Sequence, residues 1–257
     1  MADAEYVAAI ERRREASRAS LRGPTSVLAA IARHELPIGT RLRFGPDDHA
    51  DVKLLGAVRS VDVGSERDGF VVDGQRIGPG QIELGRYRLR LSHQNYPAVV
   101  VLDAQSPRLL DDVELRWWPV DPRLRIRARL EPDGTRMRIS STASAERDIE
   151  RVGWLPLEID GVAVRLLMTR LLEPGAEGMD VCFRDATTGK GSYEVGRYVS
   201  VERDGDEVIV DFNRAYNPSC ALSPYYNCPI PPRENHLSVA IRAGEMAPLV
   251  RSTAAHG

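Results

Sequence analysis

Only two of the chain's 35 basic residues are lysines, Lys53 and Lys190. Arginine supplies the rest, and 37 acidic residues bring the net charge to −2. That balance removes any whole-molecule reason to expect nucleic acid or an anionic membrane as a partner. The arginine excess reads as the mark of a GC-rich coding sequence rather than of a polyanion-binding surface. Long apolar runs are missing as well, and none approaches the roughly 18 residues of a membrane span. The opening stretch MADAEYVAAIERRREASR has acids at Asp3 and Glu5 and lacks the apolar centre of a secretory signal. A cytoplasmic home is therefore the expectation. Cysteine is scarce, three in 257 residues. In a reducing compartment these are expected as thiols, metal ligands or redox groups, not structural disulfides. No nucleophile elbow, zinc-protease helix or dinucleotide fingerprint occurs.

What is present is alternation punctuated by turns. Asp-Gly pairs stand at Asp68-Gly69, Asp73-Gly74, Asp133-Gly134, Asp160-Gly161 and Asp204-Gly205. Such pairs adopt the positive φ angles of tight hairpin turns. Residues 86–91, 123–130 and 207–212 alternate polar and apolar, the pattern of antiparallel sheet with one face buried. Residues 3–20 predict a helix through Tyr6, Val7 and Ile10, and a second short helix is expected around Val27, Leu28, Ile31 and Ala32, ending near Pro37. The reading is a mainly β protein. It has a helical arm (1–37), a small antiparallel β-sandwich (38–103) and a linker (104–120). A larger antiparallel β-barrel or sandwich (121–247) and a frayed tail (248–257) follow.

Residues 211–235, DFNRAYNPSCALSPYYNCPIPPREN, break the pattern with two cysteines, three tyrosines, four asparagines and five prolines. Structureless loops of this length are uncommon in compact domains unless functional or disordered, and disordered segments are poor in aromatics. An ordered capping loop is expected. This stretch, together with FRDATTGKGSYEVGRY (183–198), the closing 237–245 and the upstream Trp118-Pro119-Val120-Asp121-Pro122 and Phe44-Gly45-Pro46-Asp47-Asp48, closely resembles a bacterial and archaeal family catalogued as a domain of unknown function. The resemblance implies a fold and no reaction. In the N-terminal module, Gly45, Asp47-Asp48, 51–54 and 72–77 are similar to forkhead-associated domains. Pro46 stands where phosphothreonine readers of that class carry Arg, and no Ser-x-x-His follows, so the likeness implies a scaffold or docking role.

Cys220 and Cys228 allow three readings: a nucleophile with its resolving thiol, two zinc ligands with His236 in a C-x7-C-x7-H array, or a packed pair pinning the loop. Cys182 sits in a strand and reads as a small core residue. Glu234 and Glu245 are the general acid/base candidates, to be raised in pKa by a wall of Tyr216, Tyr225 and Tyr226. The 184–191 turn contains Gly-Lys but lacks the spacing of a nucleotide phosphate loop. Its Arg184 and Lys190 are candidate anion holders. Arg123, Arg125, Arg127 and Arg129 read as a solvated sheet face paired with acids on neighbouring strands.

The functional expectation is a small-molecule enzyme with a pocket under the 211–235 loop, with hydrolysis, group transfer and thiol redox all open. Its reactive groups would be Cys220, Cys228, Glu234 and Glu245. Arg184, Asp185, Lys190, Arg197, Asp211, Asn213, Tyr216, Asn217, Tyr226 and Asn235 would bind the ligand, and zinc is the one cofactor considered. The alternative is a non-catalytic scaffold whose loop presents a recognition surface.

Overall fold

In the computed structural model, which describes residues 2–93, 97–143, 146–176, 178–205 and 207–251, two of the five Asp-Gly pairs stand at the centre of a hairpin turn with both residues at positive φ, whereas Gly69 is already in its strand, paired with Glu66. Asp73 and Gly74 have φ of 47° and 84°, and Asp160 and Gly161 have 49° and 78°. Each pair makes a two-residue turn, closing Val72 on Gln75 and Ile159 on Val162. Positive φ at both central residues matches the turn's twist to that of the strands.

Two β-sandwiches result. In the first, a sheet ordered Ala30–Glu35, Ala98–Asp103, Tyr87–Ser92, Gly80–Leu84 faces one ordered Val52–Lys53, Arg41–Gly45, Val61–Glu66, Gly69–Val72, Gln75–Ile77. Phe44, Val61, Val63 and Phe70 meet Leu84, Leu89, Leu91, Val99 and Val101 in its core. The second is built on the long hairpin Glu146–Ile159 and Val162–Leu171, extended through Asp180–Phe183 to Arg197–Ser200. Across its core lie Arg125–Arg129, Glu207–Asp211 and Glu202–Asp204. Among the described residues no sheet closes on itself, so of the two expected forms, barrel or sandwich, the sandwich is found.

The strand Ala98–Asp103, AVVVLD, does not alternate because both its faces are covered. Val99 and Val101 point into the first core, whereas Val100 and Leu102 pack with Ala30 against Tyr226 and Cys228 of the 211–235 segment. That contact joins the sandwiches.

The helix Ala2–Ser20 forms as expected, with Tyr6 donating to Asp211 Oδ1 at 2.7 Å and Arg14 to Trp118 O at 2.9 Å. The expected second helix is corrected. Only Val27–Ala29 turns, as 3-10 helix, and Ala30–Glu35 is a strand. A few apolar residues at helical spacing cannot offset the cost of helix nucleation, and the open edge of Ala98–Asp103 offers a ladder instead. The tail is also partly ordered: Leu249–Arg251 pairs with Asp112–Glu114, inside the expected linker. The rest of the expected frayed tail, 252–257, lies outside the described residues. The arginine face is met in part: Arg127 bridges Asp204 and Glu207 of the same sheet, whereas Arg123 lies in a 3-10 turn before the strand and pairs with Asp121 two residues away. No helix among the described residues is long and apolar enough to cross a membrane.

Candidate functional site

The 211–235 segment is ordered by short 3-10 turns at Phe212–Arg214, Ser219–Ala221 and Arg233–Asn235. Instead of capping one sheet, it is wedged between the sandwiches. Tyr216 exchanges two 2.9 Å backbone hydrogen bonds with Tyr198, and their rings pack edge to face at 5.8 Å. On the other side Tyr226 is buried against the first sandwich, its hydroxyl accepting from Arg90 at 2.7 Å.

Beside the wedge lies a cavity of about 440 Å3. The first sandwich contributes Pro79, Arg90, Leu91 and Ser92, the second Ile139, Arg147, Thr169, Leu171, Asp180 and Tyr198, and the wedge Tyr216, Pro218, Asn227, Cys228 and Pro229. Arg147 is the charged centre of this wall. Its side chain is 1% exposed and makes a two-pronged pair with Glu173, Nε to Oε1 at 2.6 Å and Nη2 to Oε2. Its Nη1 has no hydrogen-bond partner among the described residues. Burial raises the pKa of Asp180, although Ser200 donates to it at 2.8 Å. Sequence reasoning passed over Arg147. The available signal was its register: Glu146, Asp148 and Glu150 point outward on that strand, which places Arg147 on the inward face with Ile149.

At the rim, Cys220 and Cys228 lie 3.5 Å apart with no disulfide. The Cys228 thiol hydrogen bonds the Cys220 sulfur, and with help from the Tyr193 hydroxyl this lowers the Cys220 pKa to about 7. The same hydrogen bond, reinforced by burial, pushes Cys228 up. Such a pair is an attacking thiolate beside a thiol that holds its proton. Cys182, a buried strand residue as expected, is pushed to about 12 by desolvation. His236 turns away from the sulfurs to Pro231 O at 3.2 Å, so the C-x7-C-x7-H array does not assemble. Among the described residues no group of three or more His, Cys, Asp or Glu is placed to hold a metal.

Most of the other candidates are engaged in holding the chain together. Asp185 accepts from Ile241 N at 2.6 Å, from Thr187 and from Arg197, and Arg197 also donates to the carbonyls of Ile241, Ala243 and Glu245. This buried clamp fixes the closing 241–245 segment to the second sandwich. Arg184 is spent on the carbonyls of Glu194 and Val195, and Lys190 is exposed on the turn. The expected anion-holding hairpin is thus corrected: neither cation reaches the cavity. Asp211 and Asn213 tie the N-terminal helix and Asp121, and Asn217 ties Glu245 and Met246. Asn235, fully buried, bonds Leu167 N, Leu167 O and Cys182 O within 2.9 Å. Glu245 is raised by burial as expected, but beneath the N-terminal helix, away from the sulfurs. Glu234 is exposed, so the apolar wall meant to raise it is missing. Cys228 and Tyr216 are the expected residues that border the cavity; Cys220, partly exposed and 3.5 Å from Cys228, lies outside its lining.

A family model described as "Protein of unknown function (DUF1684)" matches residues 113–246, just over half of the chain. Among solved structures, the chain is similar to an uncharacterized protein of Haloarcula marismortui determined by solution NMR. The two share 35% identity with a TM-score of 0.43, over 51% of this chain and 75% of that one. None of the curated proteins matches.

Proposed function

The chain belongs to the DUF1684 family of proteins of unknown function, a membership that brings no reaction with it, and we propose that the protein is a small-molecule enzyme acting through the Cys220–Cys228 dithiol at the rim of the inter-sandwich cavity. The observation that carries this reading is the reduced pair itself, 3.5 Å apart with its pKa values driven in opposite directions. Of the chemistries open to the sequence, thiol–disulfide exchange uses both sulfurs. The Cys220 thiolate attacks one sulfur of a small disulfide, forming a mixed disulfide and expelling the other half as a thiolate. Cys228 then loses its proton and attacks the Cys220 sulfur, which releases the second thiolate and leaves a Cys220–Cys228 bond. The substrate gains two electrons, the protein loses two, and an external dithiol reductant restores the pair. A thiolate with a pKa near ambient pH is close to the optimum for such attack.

The test is turnover of a small aromatic disulfide with an external dithiol. Wild type is expected to cycle, C220S to lose at least a hundredfold in rate, and C228S to stall as the mixed disulfide, visible by intact mass. Equal rates for wild type and C220S would end this reading. The scaffold reading then gains, since Asp185, Arg197, Asn213 and Asn235 already serve the chain internally. For the forkhead-associated-like first sandwich we infer a docking role. Arg43 is taken up by Asp47 and Asp62, which supports a structural use of that acidic turn over phosphopeptide reading.

A further inference from the structure

Arg147 raises a question that thiol chemistry leaves unanswered. A guanidinium held 1% exposed in a wall lining a cavity, with Nη1 unpartnered among the described residues, leaves a buried donor unsatisfied. Burying a charge also demands a partner, and Glu173 supplies only one face of the fork. An acceptor placed in the cavity would complete the set. The neighbouring Thr169 hydroxyl already donates to Asp180 O at 3.3 Å and adds no free donor to Arg147. Leu91, Ile139, Leu171, Tyr216, Pro218 and Pro229 supply the apolar part of the lining. A largely apolar cleft of about 300–1,000 Å3 with a few convergent polar groups is the usual form of a small-molecule site, and this one, at about 440 Å3, falls within that range.

We propose that the cavity binds an amphipathic monocarboxylate, its acid head on Arg147 and its apolar body along Leu91, Ile139, Leu171 and Tyr216. The inference takes the cavity from the reading above but not the thiol chemistry, so the two stand or fall separately. A carboxylate is favoured over phosphate by charge. Glu173 already cancels the Arg147 charge and Asp180 lines the same cavity, with Arg90 as a further cation in the lining. A dianion would set its second charge against those carboxylates, and like charges at close range in a partly buried site are costly. The apolar wall, in turn, excludes the smallest acids as preferred ligands, because they would leave it uncovered.

The test is isothermal titration of the full chain, kept reduced, with sodium octanoate as the probe. Wild type is expected to bind one octanoate, and to bind 1-octanol and inorganic phosphate at least tenfold more weakly. A176W, which fills the cavity from its rim, and R147Q are each expected to weaken octanoate at least tenfold. C220S is expected to bind octanoate as wild type does, even if it has lost turnover. Should R147Q fail to fold, A176W and the octanol comparison still decide. The proposal is overturned if no saturated acid from six to twelve carbons binds, if octanol or phosphate binds as tightly as octanoate, or if A176W keeps full affinity.

Discussion

Two pairs of side chains stand out at this scale, the Cys220–Cys228 thiols and the buried Asp185–Arg197 ion pair. The Cys220 thiol is lowered to about 7 by the Cys228 hydrogen bond and the Tyr193 hydroxyl. Because only the thiolate is alkylated, the iodoacetamide rate at Cys220 should climb with pH and reach half its plateau near pH 7. C228A removes the principal donor, so the midpoint should move upward toward 9; an unmoved midpoint in a stopped-time mass measurement would contradict this account. The second pair, Asp185 with Arg197, is 1% exposed on both sides. Burial lowers the Arg197 pKa against the opposing pull of Asp185, so its charge depends on that partner. D185N should therefore cost about 3–5 kcal/mol in urea unfolding, the range for stripping one partner from a buried pair. The sequence showed these residues as ligand candidates because it shows polarity and not occupancy. Asp185 looks free on paper and has every acceptor position used in space.

Among the elements, the hairpins were the most legible, since a turn depends on neighbours in sequence. Asp160-Gly161 closes the longest hairpin with nothing within 4 Å of a Cβ built on Gly161, but at φ +78°. G161A should thus cost about 1–2 kcal/mol by conformation alone. G78A, which meets equally open space at a φ ordinary for L residues, should leave the thermal midpoint nearly unchanged. A melting comparison of the two separates backbone strain from packing. The helix Ala2–Ser20 was legible from Tyr6, Val7 and Ile10, whereas what it covers was not. Ile209 and Asp211, on the strand face opposite Val208, Val210 and Phe212, are buried as well, with Tyr6 bonded to Asp211. The strand Ala30–Glu35 was misread for a related reason. Its pairing partner lies nearly seventy residues further along the chain, and local spacing carries no information about such a ladder.

The molecule as a whole is two cores joined by one irregular segment. The composition of 211–235 marked it out, and its order was legible; its position between the sandwiches was not, because Val100, Leu102 and Ala30 give no hint of a second buried face except the unbroken AVVVLD run. Tyr226 is the joint's largest anchor, buried and bonded to Arg90. Y226A should cost about 3–5 kcal/mol, the usual range for deleting a large buried ring. It should also split a single calorimetric unfolding peak into two as the sandwiches lose their coupling. One undivided peak in the variant would mean that the remaining contacts suffice. The cavity draws Leu91, Arg147 and Cys228 from three remote stretches of chain, so neither half of the gene encodes all of its walls. Recombination that exchanged either sandwich with a relative's would inherit half a bowl.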